Sequence, residues 1–190
     1  YLDAEEIQNF HFFLSDRSEL PPSAVRIFSH ADSQMLQELT PYLKTESFSY
    51  IPPLSVALSS AGAETAVYLR LVEQAKASGV YDFVVVDSGS VLDAFQSQLY
   101  AAADRVLLLT GQDAYCAFQT RRYLANLNHR DVEKYLLVCN RFRKGIPNEL
   151  VSAACTLPVT EYIEAQTAEN CGLQELSKAD GLRKLSYMLT

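Results

Sequence analysis

Residues 83–87 read FVVVD, and this stretch decides the fold class. Residues 106–110 (VLLLT) and 136–140 (LLVCN) have the same form, in which four apolar residues are followed by one polar residue. A short run that is apolar on both faces and rich in Val and Leu is typical of a strand buried inside a parallel sheet. We therefore predict three central strands at these positions and two weaker strands at residues 1–4 and 48–51.

Helical patterns fill the intervals between the strands. The predicted helices cover residues 33–44, 64–78, 91–103, 114–127, 147–154 and 179–189. We expect Pro41 to kink or end the first of them, Gly79 to end the second and Asp113 to cap the fourth. Strands that alternate with helices imply right-handed crossovers and a mainly parallel sheet covered on both faces. The predicted architecture is therefore a single three-layer α/β/α domain over residues 1–190.

The composition narrows the class of protein. The 190 residues are 48% hydrophobic, which argues against a disordered chain, and they contain no run of about 18 apolar residues that would span a membrane. Lysine and arginine number 16 against 23 acidic residues, so the formal net charge is −7. A surface this acidic repels phosphate backbones and disfavours direct nucleic-acid binding, unless a local patch such as Arg121 and Arg122 overrides it.

The cysteines and the opening residues bear on location. Cys116, Cys139, Cys155 and Cys171 form no C-x-x-C pair and have no flanking histidine, which indicates reduced thiols in a cytoplasmic protein. No basic and apolar leader marks the chain for secretion. The chain opens without Met and already reads as a strand, so we expect it to be part of a longer protein.

Polar residues at the strand ends are the candidate functional residues, because open parallel sheets bind ligands beyond the carboxyl ends of their strands. Asp87 ends the first central strand, so its carboxylate can reach Mg²⁺ or a Mg²⁺-bound water. Gly89 follows and allows the loop to move against a phosphate. The alternative interpretation is that Asp87 caps the following helix or its turn.

Two other strand ends carry candidates. Asn140, followed by Arg141, offers both a donor and an acceptor to a flat heterocycle such as adenine, or else holds the adjacent loop. Asp3 and Glu5 share a face if the first strand continues through Glu5, where they would position a water or a metal. Otherwise they belong to a solvated turn.

Other common sites are absent from the sequence. His11, His30 and His129 are scattered and lack metal-ligand spacing, so we expect structural or surface roles for them. The sequence contains neither G-x-S-x-G nor H-E-x-x-H, which argues against a serine hydrolase and a zinc protease of those types.

The order of these pieces resembles the MinD/ParA group of deviant-Walker P-loop ATPases. Residues 81–87 (YDFVVVD) resemble the Walker B and switch II strand of that group, and residues 102–110 (AADRVLLLT) resemble its next strand. Residues 137–141 (LVCNR) resemble the strand with the adenine-contacting Asn, and residues 168–172 (AENCG) resemble the turn before the terminal helix. Residues 1–8 (YLDAEEIQ) are most like the CpaE/TadZ branch, which localises pilus and secretion machinery at the cell pole.

The resemblance implies specific roles for the strand-end residues. Asp3 and Glu5 would match the acidic pair of switch I, with Glu5 at the hydrolysis-promoting position. Asp87 would be the Mg²⁺-linked acid, and Gly89 would belong to switch II. Asn140, with Arg141 beside it, would bind the adenine of ATP.

Some features depart from the family pattern. None of the seven glycines is followed by Lys, so the G-x-x-x-x-G-K-[ST] loop that binds the phosphates is not in this sequence. We expect that loop and the first strand to lie upstream of Tyr1. Glu5 stands where Asp is usual, and Ser88 stands where Pro is often found.

The function implied by the resemblance is ATP-gated dimerisation that localises a pilus or secretion apparatus, with ATP and Mg²⁺ as cofactors. Weak ATP hydrolysis is expected only if the P-loop is present upstream. The expected location is cytoplasmic, at the cell pole or the inner face of the membrane. The alternatives are a catalytically silent interaction scaffold, a ParA-like partitioning ATPase, and a tyrosine kinase of the same superfamily, which would need more C-terminal tyrosines than Tyr187.

The last predicted helix also has two interpretations. Leu182, Leu185 and Leu189 share one face, with Arg183 and Lys184 beside it. This pattern fits a peripheral membrane contact, and it fits equally a helix that packs on the core.

Overall fold

A computed structural model describes residues 1–8, 10–30, 34–127, 129–152, 157–165 and 179–189. The chain divides into two compact units, Tyr1–Ala101 and Ala102–Thr190. Each unit contains parallel strands and helices.

The first unit contains four short strands and four helices. They are β1 (Leu2–Asp3), α1 (Pro22–His30), α2 (Met35–Leu39), β2 (Lys44–Thr45), β3 (Ser49–Tyr50), α3 (Val67–Ser78), β4 (Val86–Asp87) and α4 (Ala94–Ala102), whose last residue lies at the boundary. Strands β1 and β4 pair in parallel, with Leu2 opposite Val86 and Asp3 opposite Asp87. Strands β2 and β3 form an antiparallel pair. The helices α1, α2 and α3 bury their apolar residues in one core around Phe28, Met35, Leu39, Tyr68 and Leu71.

The second unit is built on a parallel sheet in the order β5-β6-β7. Its elements are β5 (Val106–Thr110), α5 (Ala114–Asn126), β6 (Tyr135–Phe142), α6 (Glu149–Ser152), β7 (Val159–Glu164) and α7 (Asp180–Leu189).

Helix α7 packs on this sheet through its apolar face. Leu185 is buried against Val138 and Ile163, and Leu182 and Leu189 pack on the same cluster. The core-packing interpretation of the last helix is therefore confirmed, and these leucines are not a free membrane-binding face. Gly181 allows this contact, because a Cβ atom there would lie 2.5 Å from the backbone oxygen of Tyr162.

The described residues confirm much of the predicted element order. Strand β5 covers the predicted residues, and β6 includes the predicted strand and extends it at both ends. The Asp113 carboxylate accepts the Cys116 N–H and caps α5, while Gly79 ends α3 in the left-handed conformation. The helix predicted from residue 33 ends early, in a 3-10 turn that contains Pro41.

Other elements differ from the prediction. Helix α1 is absent from the predicted elements, and β2 replaces the end of the first predicted helix. Strand β4 keeps only Val86–Asp87 of the predicted five residues. Two predicted features lie outside the described residues: the turn before the terminal helix at residues 168–172, and the last two residues of the helix predicted over residues 147–154.

The prediction that the central runs are buried on both faces is wrong for two of the three runs. Phe83 and Val85 expose 61% and 56% of their surface, and Leu107 and Leu109 expose 38% and 62%. Alternate residues of an extended run point to the same face, so each of these two runs has one face that is partly exposed in the described part of the chain. The cysteines that can be assessed, Cys116 and Cys139, are free thiols; Cys155 and Cys171 lie outside the described residues. No helix in the described part of the chain is long and apolar enough to cross a bilayer.

Candidate functional site

The first unit places three candidate carboxylates at one end of the β1–β4 pair. Asp3 and Asp87 are register partners, and the Ala4 N–H donates to the Asp87 backbone oxygen at 2.8 Å. Parallel strands lie about 4.8 Å apart, so these two residues are direct neighbours at the carboxyl ends of their strands. Glu5 follows β1 and belongs to the same acidic group; its burial, and then the charges of Asp3 and Asp87, raise its pKa.

Asp87 is exposed and accepts a hydrogen bond. The Tyr1 hydroxyl donates to its Oδ2 at 2.6 Å, and the Tyr1 ring stacks on Phe10 with 3.9 Å between ring centroids. Burial, followed by the bond to Asp87, raises the pKa of the Tyr1 hydroxyl. Tyr1 therefore stays protonated as the donor and orients the Asp87 carboxylate. At the start of α4 it is Asp93, not Asp87, that accepts the Gln96 N–H.

The Asp3 carboxylate accepts hydrogen bonds from the loop that follows β1. Its Oδ1 accepts the Glu5 N–H at 3.2 Å, and its Oδ2 accepts the Phe10 N–H at 3.3 Å. Both oxygens thus order the segment after β1, and the neighbouring Glu5 is half-buried. Desolvation raises the pKa of the Glu5 carboxyl most, followed by repulsion from Asp3 and then Asp87. Glu5 therefore holds a proton more readily than an ordinary glutamate.

The group formed by Asp3, Glu5 and Asp87 fits Mg²⁺ only if a phosphate ligand completes the coordination of the ion. Among the residues that the structure describes, no group of three or more His, Cys, Asp or Glu side chains is arranged to hold a metal. Mg²⁺ is commonly bound through one or two carboxylates, with phosphate oxygens and waters completing its shell. Asp87 suits that type of site, whereas the sequence offers no Gly-Lys phosphate loop of the P-loop kind to complete it.

A residue missing from the sequence prediction holds the loop after Asp87. Gln96 on α4 is 3% exposed, and its Nε2 donates to Ser88 Oγ at 2.9 Å, to the Gly89 oxygen at 2.9 Å and to the Tyr100 hydroxyl at 3.0 Å. Gly89 does not adopt a left-handed conformation, and a Cβ atom there would meet nothing within 4 Å. Its backbone oxygen, held by Gln96, is the feature of Gly89 that the structure uses.

The second unit places Asn140 and Arg141 in an irregularity of β6. The register between β6 and β7 shifts between Cys139 and Phe142, so the two residues form a bulge. Arg141 has φ = 56°, in the left-handed region, and it is exposed. Asn140 is half-buried, and its Oδ1 accepts the Arg141 N–H at 2.9 Å.

The bulge has the features of a binding position. Bulges redirect side chains and are over-represented beside active sites, and a non-glycine residue in the left-handed region is a local strain that such sites often hold. Since Asn140 Oδ1 accepts the backbone N–H of Arg141, the orientation of the carboxamide is restricted. The NH₂ group is then the donor suited to a ring nitrogen of a base.

A second residue missing from the sequence prediction holds the segment after this bulge. Gln112 is 8% exposed, and its side chain bonds backbone groups of residues 143–147, which we call the Asn140 loop. Gln96 and Gln112 are the buried polar side chains of the described residues. Each therefore fixes a loop beyond a strand that carries a candidate functional residue at or near its end.

The comparisons with known proteins identify the fold. No protein-family model matches the chain, and no curated protein matches it. The crystal structure of a ParA family ATPase from Chlorobium tepidum TLS matches with a TM-score of 0.68 at 14% identity, covering 98% of this chain and 78% of that one. The chain has a ParA/MinD-type P-loop NTPase fold.

Two further solved structures have this fold in common with the chain. The cell division ATPase MinD of Pyrococcus furiosus matches with a TM-score of 0.62 at 15% identity, covering 96% of this chain and 79% of that one. The MinC:MinD cell division protein complex of Aquifex aeolicus matches with a TM-score of 0.60 at 14% identity, covering 98% and 75%. The TM-scores establish the ParA/MinD-type fold of the chain, and at identities this low the matches establish the fold alone.

Proposed function

We propose that this chain is the core of an ATP-dependent positioning or assembly protein in which bound ATP gates dimerisation. The observation that carries the proposal is the location of the candidates on a ParA/MinD-type fold. Asp3 and Asp87 end paired parallel strands, and Asn140 lies in a strained bulge near the end of β6. Strand ends are where open parallel sheets bind their ligands.

Each residue has a role consistent with its contacts. The Asn140 carboxamide would bind the base, with Arg141 beside it. Asp87 would orient a water of Mg²⁺, Gly89 would belong to the loop that follows it, and Asp3 would hold the loop that presents Glu5. A carboxyl whose pKa is raised is a better proton acceptor near neutral pH, so Glu5 is the candidate for orienting the attacking water.

The cofactors would be ATP and Mg²⁺. When bound, they would supply a cleavable phosphate bond and the charge that neutralises its oxygens. The phosphate-binding loop would have to come from residues outside this sequence, upstream of Tyr1, and weak hydrolysis is proposed only with that loop in place.

The apparatus proposed for positioning is a pilus or secretion machine, on the resemblance of residues 1–8 to the CpaE/TadZ branch. The partners would be a second copy of the protein and components of that machine, and the location would be cytoplasmic, at the cell pole or the inner membrane face. Direct nucleic-acid binding remains disfavoured by the net charge of −7. Any peripheral membrane contact would need a surface other than the packed leucines of α7.

A second candidate function is an interaction scaffold that has the ATPase fold and binds no nucleotide. The observation that favours it is that none of the seven glycines precedes a lysine. A ParA-like partitioning ATPase is a weaker candidate, because it would need a basic surface for DNA.

Sedimentation velocity of the full-length protein tests the proposal. We expect a monomer with Mg-ADP and a doubled mass with Mg-ATP. Asp87→Asn should lose the ATP-dependent dimer, because an amide keeps the Tyr1 bond but is a poorer partner for Mg²⁺ or its water. The control Glu73→Gln removes one charge from the exposed side of α3 and should dimerise normally. The same mass with Mg-ADP and with Mg-ATP would favour the interaction scaffold.

A further inference from the structure

Gln112 is a buried carboxamide between β5 and α5. It is 8% exposed. Among the charged and polar side chains of the described residues, Gln96 is the other one that is buried. Burying an amide is unfavourable unless its donors and its acceptor find partners. The partners of Gln112 therefore indicate what the residue does.

Those partners all belong to the Asn140 loop. Gln112 Oε1 accepts the Arg143 N–H at 2.6 Å. Its Nε2 lies 3.2 Å from the Arg143 oxygen, 3.1 Å from the Ile146 oxygen and 3.4 Å from the Pro147 oxygen. One side chain thus uses both its acceptor and its donors on the backbone of a loop more than 30 residues away in sequence.

The backbone around Gln112 strengthens this connection. Its own oxygen accepts the Glu149 N–H at 2.9 Å, at the start of α6. Asp113 caps α5 by accepting the Cys116 N–H at 2.9 Å, which fixes the chain next to Gln112. Gln112 is therefore anchored on one side and binds residues 143–149 on the other.

The bulge at Asn140 lies between two fixed points. On one side, Val138 and Cys139 are fully buried in β6. On the other side, the Phe142 oxygen accepts the Ala165 N–H at 2.9 Å, and Gln112 holds Arg143. A left-handed residue such as Arg141 persists only where its surroundings over-determine its conformation.

We propose that Gln112 is a positioning residue, which fixes the Asn140 loop so that Asn140 and Arg141 are presented to a nucleotide base. This inference rests on the proposed function. Gln112 does not touch the nucleotide; it acts through the loop. Without its carboxamide, the Arg143 N–H and three backbone oxygens exchange fixed partners for water, and the bulge loses its anchor on the C-terminal side.

A double-mutant cycle with Mg-ATP calorimetry on the full-length protein tests this role. We compare wild type, Gln112→Leu, Asn140→Ala and the double variant. Gln112→Leu should weaken Mg-ATP binding about tenfold, and the double variant should bind no more weakly than Asn140→Ala alone, because coupled residues are not additive. The matched control is Gln119→Leu, which makes the same change at an exposed position of α5 and should bind like wild type.

Gln112→Glu provides a second readout if Gln112→Leu does not fold. An ionised carboxylate still accepts from Arg143 but cannot donate to the three oxygens, whereas a protonated one regains a donor. The affinity of this variant should therefore recover as the pH falls, relative to wild type at the same pH.

The outcomes separate the inference from the function on which it rests. If wild type binds Mg-ATP and the affinity losses of the two single variants multiply in the double variant, the positioning role alone is overturned. Binding by Gln112→Leu that equals wild type also overturns it. Wild type that does not bind Mg-ATP overturns the proposed function, and the inference with it.

Discussion

The loop after Asp87 and the loop after Asn140 are held in the same way but with different firmness. Gln96 binds one backbone oxygen and two hydroxyl groups, which can rotate toward water. Gln112 binds one backbone N–H and three backbone oxygens, which cannot turn away without moving the chain. Strain accompanies the firmer loop, since Arg141 is left-handed, while the acidic end near Asp87 has repulsion between carboxylates instead.

The difference fits one loop that is fixed and one loop that can move. A base is a rigid, flat ligand and requires a fixed reading group, which under the proposed function the anchored bulge would provide. A loop beside a carboxylate that works with Mg²⁺ benefits from being able to move, because lids and switch loops adjust when ligands bind. Four substitutions test whether the two loops differ as described.

The largest expected effect on stability is that of Gln112→Leu. Leucine at this buried position cannot replace the carboxamide's bonds to one backbone N–H and three backbone oxygens, and losing them costs about 2 kcal/mol. Urea unfolding should show this loss in the free energy of unfolding. The exposed control Gln119→Leu should change it little, and equal losses in the two variants would contradict the account of Gln112.

Gln96→Leu should cost less, about 1 kcal/mol, because Ser88 and Tyr100 can redirect their hydroxyls. The same urea experiment measures it. Amide hydrogen exchange should speed up in residues 88–97 and leave residues 143–149 unchanged. A cost larger than that of Gln112→Leu would reverse the proposed order of firmness.

Arg141→Gly should increase the stability of the chain by up to about 1 kcal/mol, because glycine adopts φ = 56° without a Cβ clash. Arg141→Ala removes the same guanidinium but keeps the clash, so it separates strain from charge. If both variants unfold at the same urea concentration, the left-handed residue stores no strain.

The smallest effect belongs to the acidic end. Desolvation, Asp3 and Asp87 raise the folded pKa of Glu5 above 4.5, so its favourable contribution is present below pH 4.5 and is lost as the pH rises through the folded pKa. Glu5→Gln should therefore raise the melting temperature slightly at pH 7 and lose this advantage near pH 4.

The neighbouring carboxylate is the control with the opposite sign. Bonds from Ser59 lower the pKa of Glu6, so its contribution is present above pH 4.5 and is lost as the pH falls through the folded pKa. Glu6→Gln should lower the melting temperature at pH 7. Shifts of the same sign in both variants would contradict this electrostatic description.

The sequence predicted the parts of the fold that depend on local patterns. Residues 106–110 and 136–140 form strands because runs of Val and Leu favour extended, buried backbone, and Asp113 caps α5 because its carboxylate accepts an N–H three residues on. Helix α1 was harder, because it has only two buried side chains and begins at the second of two adjacent prolines.

The candidate residues were found by their position, but the residues that hold them were not. Asp87 and Asn140 follow apolar runs, which is visible in the sequence. Gln96 was detectable as a polar residue three positions before Leu99 on a buried helix face, whereas Gln112 gives no local sign because its partners lie more than 30 residues away. Long-range hydrogen bonds of this kind depend on tertiary packing.

The most direct test of the account is calorimetry of Mg-ATP with the full-length protein, with Asn140→Ala measured alongside. We expect micromolar binding to wild type, weakened about tenfold in Asn140→Ala through the loss of a hydrogen bond to the base. No binding to wild type, or equal affinity in both proteins, would contradict the claim that the bulge near the end of β6 reads a nucleotide.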